Sequence, residues 1–396
     1  MKKMWVMLSA GVMVASLFAS SVAIDYRGYV GASWRQYDGQ GAQGQDASDF
    51  SLVAEPELAF DWNEGSDRWV SSFFLRADSM DDERTHFDVR ESYWLHIGDG
   101  WELRVGADIV FWGVTESQHL VDIINQTDGV EGADGEDKLG QPMVAWSTEQ
   151  DWGLLSLYWL PYFRERNFPG IDGRLRPFVP VADDAVYESS AEEWHQDFAA
   201  RWFKTIGDAD IAVSLFRGTD RFPDFVIDAG PQIGIRLVPY YRQMTQLGFE
   251  GQYMSGDTAW KMEAVWRDRA DETYFASVLG LEHTLYGIFG SDKDLGILLE
   301  YHYDERRDKR LNPFDNDTFI GARLAFNDED SSEILGGFII DNDNQGWMFF
   351  AETSRRLTSH WKISIEARLF ADYPQSDIVA QYQQDDHIEV ELRYYY

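Results

Sequence analysis

His387-Ile388-Glu389-Val390-Glu391-Leu392-Arg393-Tyr394-Tyr395-Tyr396 is the stretch whose reading decides the fold, because it alternates without a break. Successive side chains of a strand point to opposite faces. Ile388, Val390, Leu392, Tyr394 and Tyr396 therefore share one face, and Glu389, Glu391 and Arg393 share the other. In a water-soluble core the inward face must be dry, and a charged inward face has no place there. A barrel with lipid outside and water within accommodates both faces. The alternative is an amphipathic edge strand of a soluble sheet, and the rest of the sequence decides against it.

At the other end, Lys2 and Lys3 precede an uncharged run from Met4 to Phe18, and Ser21-Val22-Ala23 offers small residues where a signal peptidase reads. Residues 1–23 are expected to be a removed signal peptide, leaving a chain that begins near Ile24. No later apolar run approaches the length of a membrane-spanning helix, so a membrane is crossed by strands. The sequence has no cysteine, which excludes disulfides, thiolate metal sites and a lipoprotein anchor. With 34 Lys+Arg against 69 Asp+Glu the formal charge is −35, which makes nucleic acid a poor partner. The 25 Phe, 19 Tyr and 16 Trp include the two residue types that settle at membrane interfaces, each with an apolar body and a polar tip.

Along the chain one pattern repeats: an alternating segment, a short polar turn, another segment, a longer polar loop. Segments fall at 25–37, 49–62, 67–79, 86–97, 101–112, 142–149, 152–160, 194–206, 209–217, 244–254, 257–268, 273–289, 294–304, 317–326, 332–341, 345–357, 360–372 and 385–396. The expected fold is all-β, a transmembrane antiparallel β-barrel of about eighteen strands, within about sixteen to eighteen. Tight connections at Asn63-Glu64-Gly65-Ser66, Gly98-Asp99-Gly100, Gly207-Asp208, Ser255-Gly256-Asp257 and Thr358-Ser359 are rich in turn residues. They alternate with long ones, which puts both termini on the periplasmic side and makes the strand number even. The long outer loops are expected at 113–141, 161–193 and 219–243, the last a single loop, although Ile233 to Val238 could be strand.

The facing assignment repeats. In 101–112, Trp101, Leu103, Val105, Ala107, Ile109 and Phe111 face lipid, leaving Glu102, Arg104 and Asp108 on the lumen wall. In 257–268, Trp260, Met262, Ala264 and Trp266 face out, with Lys261, Glu263 and Arg267 inside. In 360–372, Trp361, Ile363, Ile365, Ala367 and Leu369 face out, with Lys362, Glu366 and Arg368 inside. Glu389, Glu391 and Arg393 complete the wall. Glu91 falls on the lipid-facing phase of 86–97, which requires a bulge or a different register there.

A barrel of this width encloses an aqueous channel unless a loop folds into it. In 113–141, Leu120, Ile123 and Ile124 have helical spacing, so a short helix within 116–126 is expected to pack against the barrel wall. Loop 161–193 holds Arg164, Arg166, Arg174 and Arg176 among aromatics and prolines. Glu116 and Asp122 opposite those arginines would set a transverse field across a pore constriction. The alternative is that the arginines only pair with loop carboxylates on a solvated surface. Asp128, Glu131, Asp134, Glu136 and Asp137 form an acidic run in which Asp128, Glu131 and Asp134 are weak calcium candidates, a hydrated charge run being the simpler account. Asp341-Asn342-Asp343-Asn344-Gln345-Gly346 imitates a calcium loop but precedes an alternating segment, and reads as a hairpin.

No HExxH, GxSxG or phosphate-loop motif is present, and no cofactor or catalytic residue is expected. His96 and His302 are placed facing the lumen, in no nucleophile motif. The chain is expected not to be an enzyme, with a barrel hydrolase the less favoured alternative.

The aromatic final residue, with apolar residues at every second position before it, resembles the closing strand that Gram-negative outer-membrane proteins present to their assembly machinery. Arg90-Glu91-Ser92-Tyr93-Trp94, Arg104-Val105-Gly106, Phe111-Trp112-Gly113 and Asp122-Ile123-Ile124-Asn125-Gln126-Thr127-Asp128 resemble a largely uncharacterised group of porin-like outer-membrane proteins. In that group a Trp-Gly ends a strand and an Asp/Asn/Asp loop follows. The resemblance implies a monomeric or loosely associated channel in the bacterial outer membrane. Its expected partners are lipid, lipopolysaccharide, the barrel assembly machinery through 387–396, and a small solute passing by diffusion. A plugged barrel acting as receptor or structural protein is the competing reading.

Overall fold

The computed structural model describes residues 24–132, 134–230, 234–307 and 313–396; the expected signal peptide, 1–23, lies outside them. In chain order the strands are β1 (Ile24–Tyr37), β2 (Ser48–Trp62), β3 (Asp67–Asp78), β4 (His86–Ile97), β5 (Trp101–Asp108), β6 (Gln141–Gln150), β7 (Gly153–Leu160), β8 (Val186–Tyr187), β9 (Asp197–Ile206), β10 (Ala209–Thr219), β11 (Asp224–Gly230), β12 (Gly234–Tyr241), β13 (Gln243–Ser255), β14 (Thr258–Arg269), β15 (Thr273–Leu285), β16 (Asp294–Asp304), β17 (Asn316–Ala325), β18 (Glu333–Asp341), β19 (Trp347–Arg356), β20 (Trp361–Ala371) and β21 (His387–Tyr395). All but β8, β11 and β12 form one 18-stranded sheet in which each strand pairs antiparallel with its neighbours. β1 pairs with both β2 and β21, Tyr29 standing opposite Tyr395, so the sheet closes on itself and has no free edge. Tyr26 stacks on Tyr396 with ring centroids 4.9 Å apart and their hydroxyls 2.9 Å apart, fastening the seam at the rim that carries the chain termini.

Alternation separates the two faces. Leu279 is 51% exposed while its neighbour Val278 is fully buried. Ile211, Gly251, Met262, Leu279 and Tyr301 stand in cross-strand register around the outside. Ile388, Leu392 and Tyr396 are likewise exposed, and Glu389 on the opposite phase reaches Arg35 at 2.5 Å across the β1–β21 seam.

The phase conflict at Glu91 resolves as a bulge. Ser72 pairs with Glu91 but Phe73 pairs with Val89, leaving Arg90 as an extra residue in β4. Arg90 and Glu91 therefore share the lumen side. The same phase change moves His96 to the outer face with Trp94, where its ring lies 5.3 Å from Trp101 and its Nδ1 2.8 Å from Asp67. The expectation that His96 faces the lumen is thus corrected, because an inserted residue inverts the facing of everything after it.

Three strand limits also differ. β5 stops at Asp108 rather than running to 112. The Asp108 carboxylate accepts the Ile109 N–H at 2.9 Å, and Asn125 takes over both the Asp108 carbonyl at 2.8 Å and the Val110 N–H at 2.9 Å. Ile109 and Phe111 consequently leave the sheet. β15 ends at Leu285 because Gly287 and Phe289 adopt left-handed backbone in the turn. β9 begins at Asp197, after a 3-10 turn over Glu192–Trp194.

The segment expected as a single loop, 219–243, contains the hairpin β11–β12, and β12 pairs in parallel with β8. This small sheet lies outside the barrel wall, within the long connections.

Replacing Leu279, midway along β15, with arginine would put a charge against hydrocarbon and is expected to cost about 2–4 kcal/mol. Gln252→Arg on the lumen phase of β13 should cost less than about 1 kcal/mol. Urea unfolding from liposomes would compare the two, and equal costs would refute the facing assignment.

Candidate functional site

The segment between β5 and β6 turns into the barrel and is fastened to the wall along its length. Glu263 on β14, fully buried, accepts the N–H of Val114 at 2.7 Å, the N–H of Thr115 at 3.0 Å, the Thr115 hydroxyl at 2.7 Å and the Val121 N–H at 3.3 Å. Glu300 on β16 accepts the N–H groups of Glu116 at 2.7 Å and Ser117 at 2.9 Å, and the Ser117 hydroxyl. In a helix over 116–126 the amides of 114–117 would lack intrahelical partners, whereas the Val121 N–H would bond the Ser117 carbonyl, and Glu263 takes that donor instead. Residues 116–126 form turns and bends rather than the expected helix. Leu120, Ile123 and Ile124 are nevertheless buried, packed with Val121 against Met143, Phe216, Met244, Val265 and Val278 of the inner wall. Arg267 caps the Leu120 carbonyl at 3.0 Å, and Arg221 caps that of Ile124 at 3.0 Å.

The tip of this segment reaches other strands. Asp128 pairs with Arg90 at 2.6 Å, Glu131 with Arg76 at 2.6 Å, and Asp134 with Arg368. Arg76 and Glu131 are both buried, a setting in which removing one partner typically costs about 3–5 kcal/mol. Burial raises the pKa of Asp128, but the hydrogen bond from His86 and the charge of Arg90 outweigh it and hold the carboxyl well below the usual range. His119 shows the reverse balance. Burial disfavours its charge, yet Glu136 at 3.3 Å and Glu263 at 3.8 Å push its pKa up to about 10.

A second segment, following β7, crosses the mouth to the far side of the ring. The Gly170 N–H bonds Asp81 at 2.9 Å. Arg174 pairs with Asp385 at 2.6 Å and donates to the carbonyls of Gly39 and Asp46, each at 3.0 Å.

The six residues considered for the constriction divide by partner. Glu116 pairs with Arg323 on β17 at 2.5 Å, and Asp122 with Lys138 at 3.0 Å. Burial raises the pKa of both acids against those cations. Arg164 pairs with Asp88 at 2.6 Å. Arg166 and Arg176 meet no carboxylate within ion-pair range among the described residues, and burial lowers both guanidinium pKa values. Arg176 donates to the Pro177 carbonyl at 2.9 Å; each of the two has a buried Nε without an acceptor. The structure therefore brings Glu116 to β17 and Arg174 to the β20–β21 loop, and it does not join either acid to any of the four arginines.

Of the lumen-wall residues, Glu102 lies beside Leu103, which continues the outer phase; Arg104 pairs with Asp108; Lys261 reaches Glu282 at 3.1 Å; Arg393 reaches Glu391 at 2.5 Å. Lys362 pairs with Arg393 across the strands, and Glu366 stands opposite both Glu352 and Glu389. Sequence reasoning did not single out Glu300, Arg76, Arg323, Asp385 or His119, and it touched Arg90 only within a motif. A carboxylate isolated on the lumen phase between apolar neighbours, as Glu300 is between Leu299 and Tyr301, is the signal that could have found the first.

Three groups that could be read as metal or catalytic sites have other partners. His86, Asp128 and Glu131 bring ligand atoms within 4.8 Å of one another, but Arg90 and Arg76 already neutralise the two carboxylates, and Arg368 neutralises Asp134. The Asp341 carboxylate accepts the N–H groups of Asp343 at 2.7 Å and Asn344 at 3.2 Å, ordering the β18–β19 turn. Ser117 lies 2.7 Å from His302 Nε2, but the carboxylate of Glu300 touches the serine instead of the distal ring nitrogen, which is buried without a partner among the described residues. A base held in a charge relay needs the opposite order.

No family model and no curated protein matches this sequence. Among solved structures, a BenF-like porin from Pseudomonas fluorescens Pf-5 superposes with a TM-score of 0.53 at 8% identity, over 94% of this chain and 98% of that one. OmpT of Vibrio cholerae, in its trimer form, gives a TM-score of 0.48 at 10% identity, over 95% and 100%. The first likeness is one of fold: the chain is a closed β-barrel of the porin type, and its exposed apolar outer face fits contact with lipid.

Glu300→Gln is expected to weaken anchoring of residues 116 and 117 by about 1–3 kcal/mol, speeding exchange of their amide hydrogens roughly ten- to a hundredfold. Unchanged exchange would contradict the anchoring. His119 has a higher pKa in place than the roughly 6.5 of a free imidazole, so its tether is complete below about pH 6.5 and lost as pH rises through about 10. Asp128, held low, contributes above about pH 4 and loses that contribution in acid. Exchange around His119 should thus quicken as pH rises through about 10, after correction for intrinsic rates. His119→Gln should abolish the alkaline limb; if that limb persists, His119 is not its source.

Proposed function

We propose that the protein is an outer-membrane channel passing small hydrophilic or amphipathic solutes by passive diffusion. The observation that carries this reading is the inward segment 113–138, fixed inside a wide barrel at Glu263, Glu300, Arg76, Arg90 and Arg368. A loop anchored on several sides of a lumen narrows it without being swept out by passing solute. Glu116 and Asp122 carry their own cations, and Arg164 and Arg174 are balanced by Asp88 and Asp385. The transverse field of the proposed constriction then arises chiefly from Arg166 and Arg176. The outer wall would meet lipopolysaccharide, and the closing strand 387–396 would be the segment engaged by the assembly machinery.

The segment tied across the mouth by Arg174 supports a second reading, a plugged barrel serving as receptor or structural protein. The Ser117 arrangement gives a hydrolase no relay.

Planar-bilayer recording separates these readings: stable open steps are expected of a channel, and silence favours the plug. In the open channel, Arg164→Glu with Arg166→Glu should shift the reversal potential toward cation selectivity, by about 10 mV or more in a tenfold salt gradient. An unchanged reversal potential would remove both residues from the constriction.

A further inference from the structure

We infer that Arg166, Phe168 and Phe225 form a capture site at the outer mouth for an amphipathic anion, a carboxylate carried on an aromatic or short aliphatic body. The role of such a site in uptake rests on the channel reading above; its binding chemistry does not.

Arg166 is held in place without an ion-pair partner among the described residues, Asp128 acting on it only from a distance. Its backbone N–H donates to the Tyr241 hydroxyl at 2.9 Å, and its side chain passes over Gly129 of the inward segment. A Cβ at Gly129 would stand 3.0 Å from Arg166 Nε, so the stem is seated where the two crossing segments meet. That Nε is buried without an acceptor, and no carboxylate of the described residues lies within ion-pair range. Arg164 and Arg174, on the same segment, each have one. A partly buried guanidinium whose Nε has no acceptor and which pairs with no carboxylate is costly to keep, and a planar carboxylate is the ligand its fork geometry matches.

The surroundings specify the rest of the ligand. The guanidinium carbon lies 5.7 Å from the Phe168 ring centre, and Phe168 meets Phe225 edge-on at 5.7 Å. Phe225 is the second residue of β11, and Ile227 shares its face of the strand. Ile235 on β12, paired with Ala229, shares that face too, and both isoleucines are largely exposed. An apolar surface thus leads from the outside through two aromatic rings to one unpaired cation. A sugar would leave the apolar surface wet, and a simple inorganic anion would gain nothing from it. An amine would meet a like charge.

The test uses the full mature chain, folded in detergent, with calorimetric titration of 3-phenylpropionate, propionate and 3-phenylpropylamine. Saturable binding of 3-phenylpropionate is expected, with propionate and the amine each at least about tenfold weaker. Arg166→Gln should weaken 3-phenylpropionate about tenfold or more, and Phe168→Ala about fivefold, while Arg236→Gln on the same small sheet should stay within about twofold. Retained heat-resistant migration would verify that each variant is folded. Equal binding by Arg166→Gln, equal binding of the amine, or no saturable binding would overturn the site. Binding in a barrel that is silent in bilayers would uphold the site and refute the channel; open steps without binding would do the reverse.

Discussion

A strand that separates hydrocarbon from water can carry ions on only one of its faces, and each ion there must be hydrated or paired. The rest of this structure follows from that constraint. It makes the chain close into a ring, because no edge can be left open to lipid. It also supplies the fixtures that organise the interior. A carboxylate such as Glu263 has no reason to exist on an apolar strand except to meet a donor inside, and the donors it meets are backbone amides of an entering loop.

The interior is consequently built in two layers. The first is the segment after β5, whose amides are bound by Glu263 and Glu300 and whose tip is tied by Arg76, Arg90 and Arg368. The second is the segment after β7, which spans the mouth and ends on Asp385 and the carbonyls of Gly39 and Asp46. Charges that would be worth little on an open surface matter more here, because several are withdrawn from water and shared among elements far apart in sequence. The same economy exposes the exceptions: among so many matched pairs, a guanidinium without a carboxylate is a functional clue.

The sheet was legible because its signal is local. Period-two alternation needs only neighbouring residues, and Glu91 on the wrong phase announced a bulge before its partner strand was known. What the bulge did to His96 was legible too, had the phase change been carried through to the end of β4. The helix expected in 116–126 shows the limit. Leu120, Ile123 and Ile124 correctly marked a buried set, but the contacts that hold its backbone come from Glu263, Glu300, Arg267 and Arg221, roughly a hundred or more residues away. The hairpin β11–β12 was obscured for a different reason: Phe225, Ile227 and Ile235 form an apolar face outside the membrane, where the alternation has no lipid to answer to. Likewise, nothing near Arg164 or Arg174 in sequence marks Asp88 or Asp385 as its partner.

The most direct measurement exploits the absence of cysteine. Single cysteines placed in turn from 361 to 369 along β20 would be challenged, in liposomes, with a charged thiol reagent that cannot enter hydrocarbon. The account requires labelling at Lys362, Ser364, Glu366 and Arg368, and protection at Trp361, Ile363, Ile365, Ala367 and Leu369. Uniform labelling, or labelling in the opposite phase, would contradict the division of this wall between lipid and water.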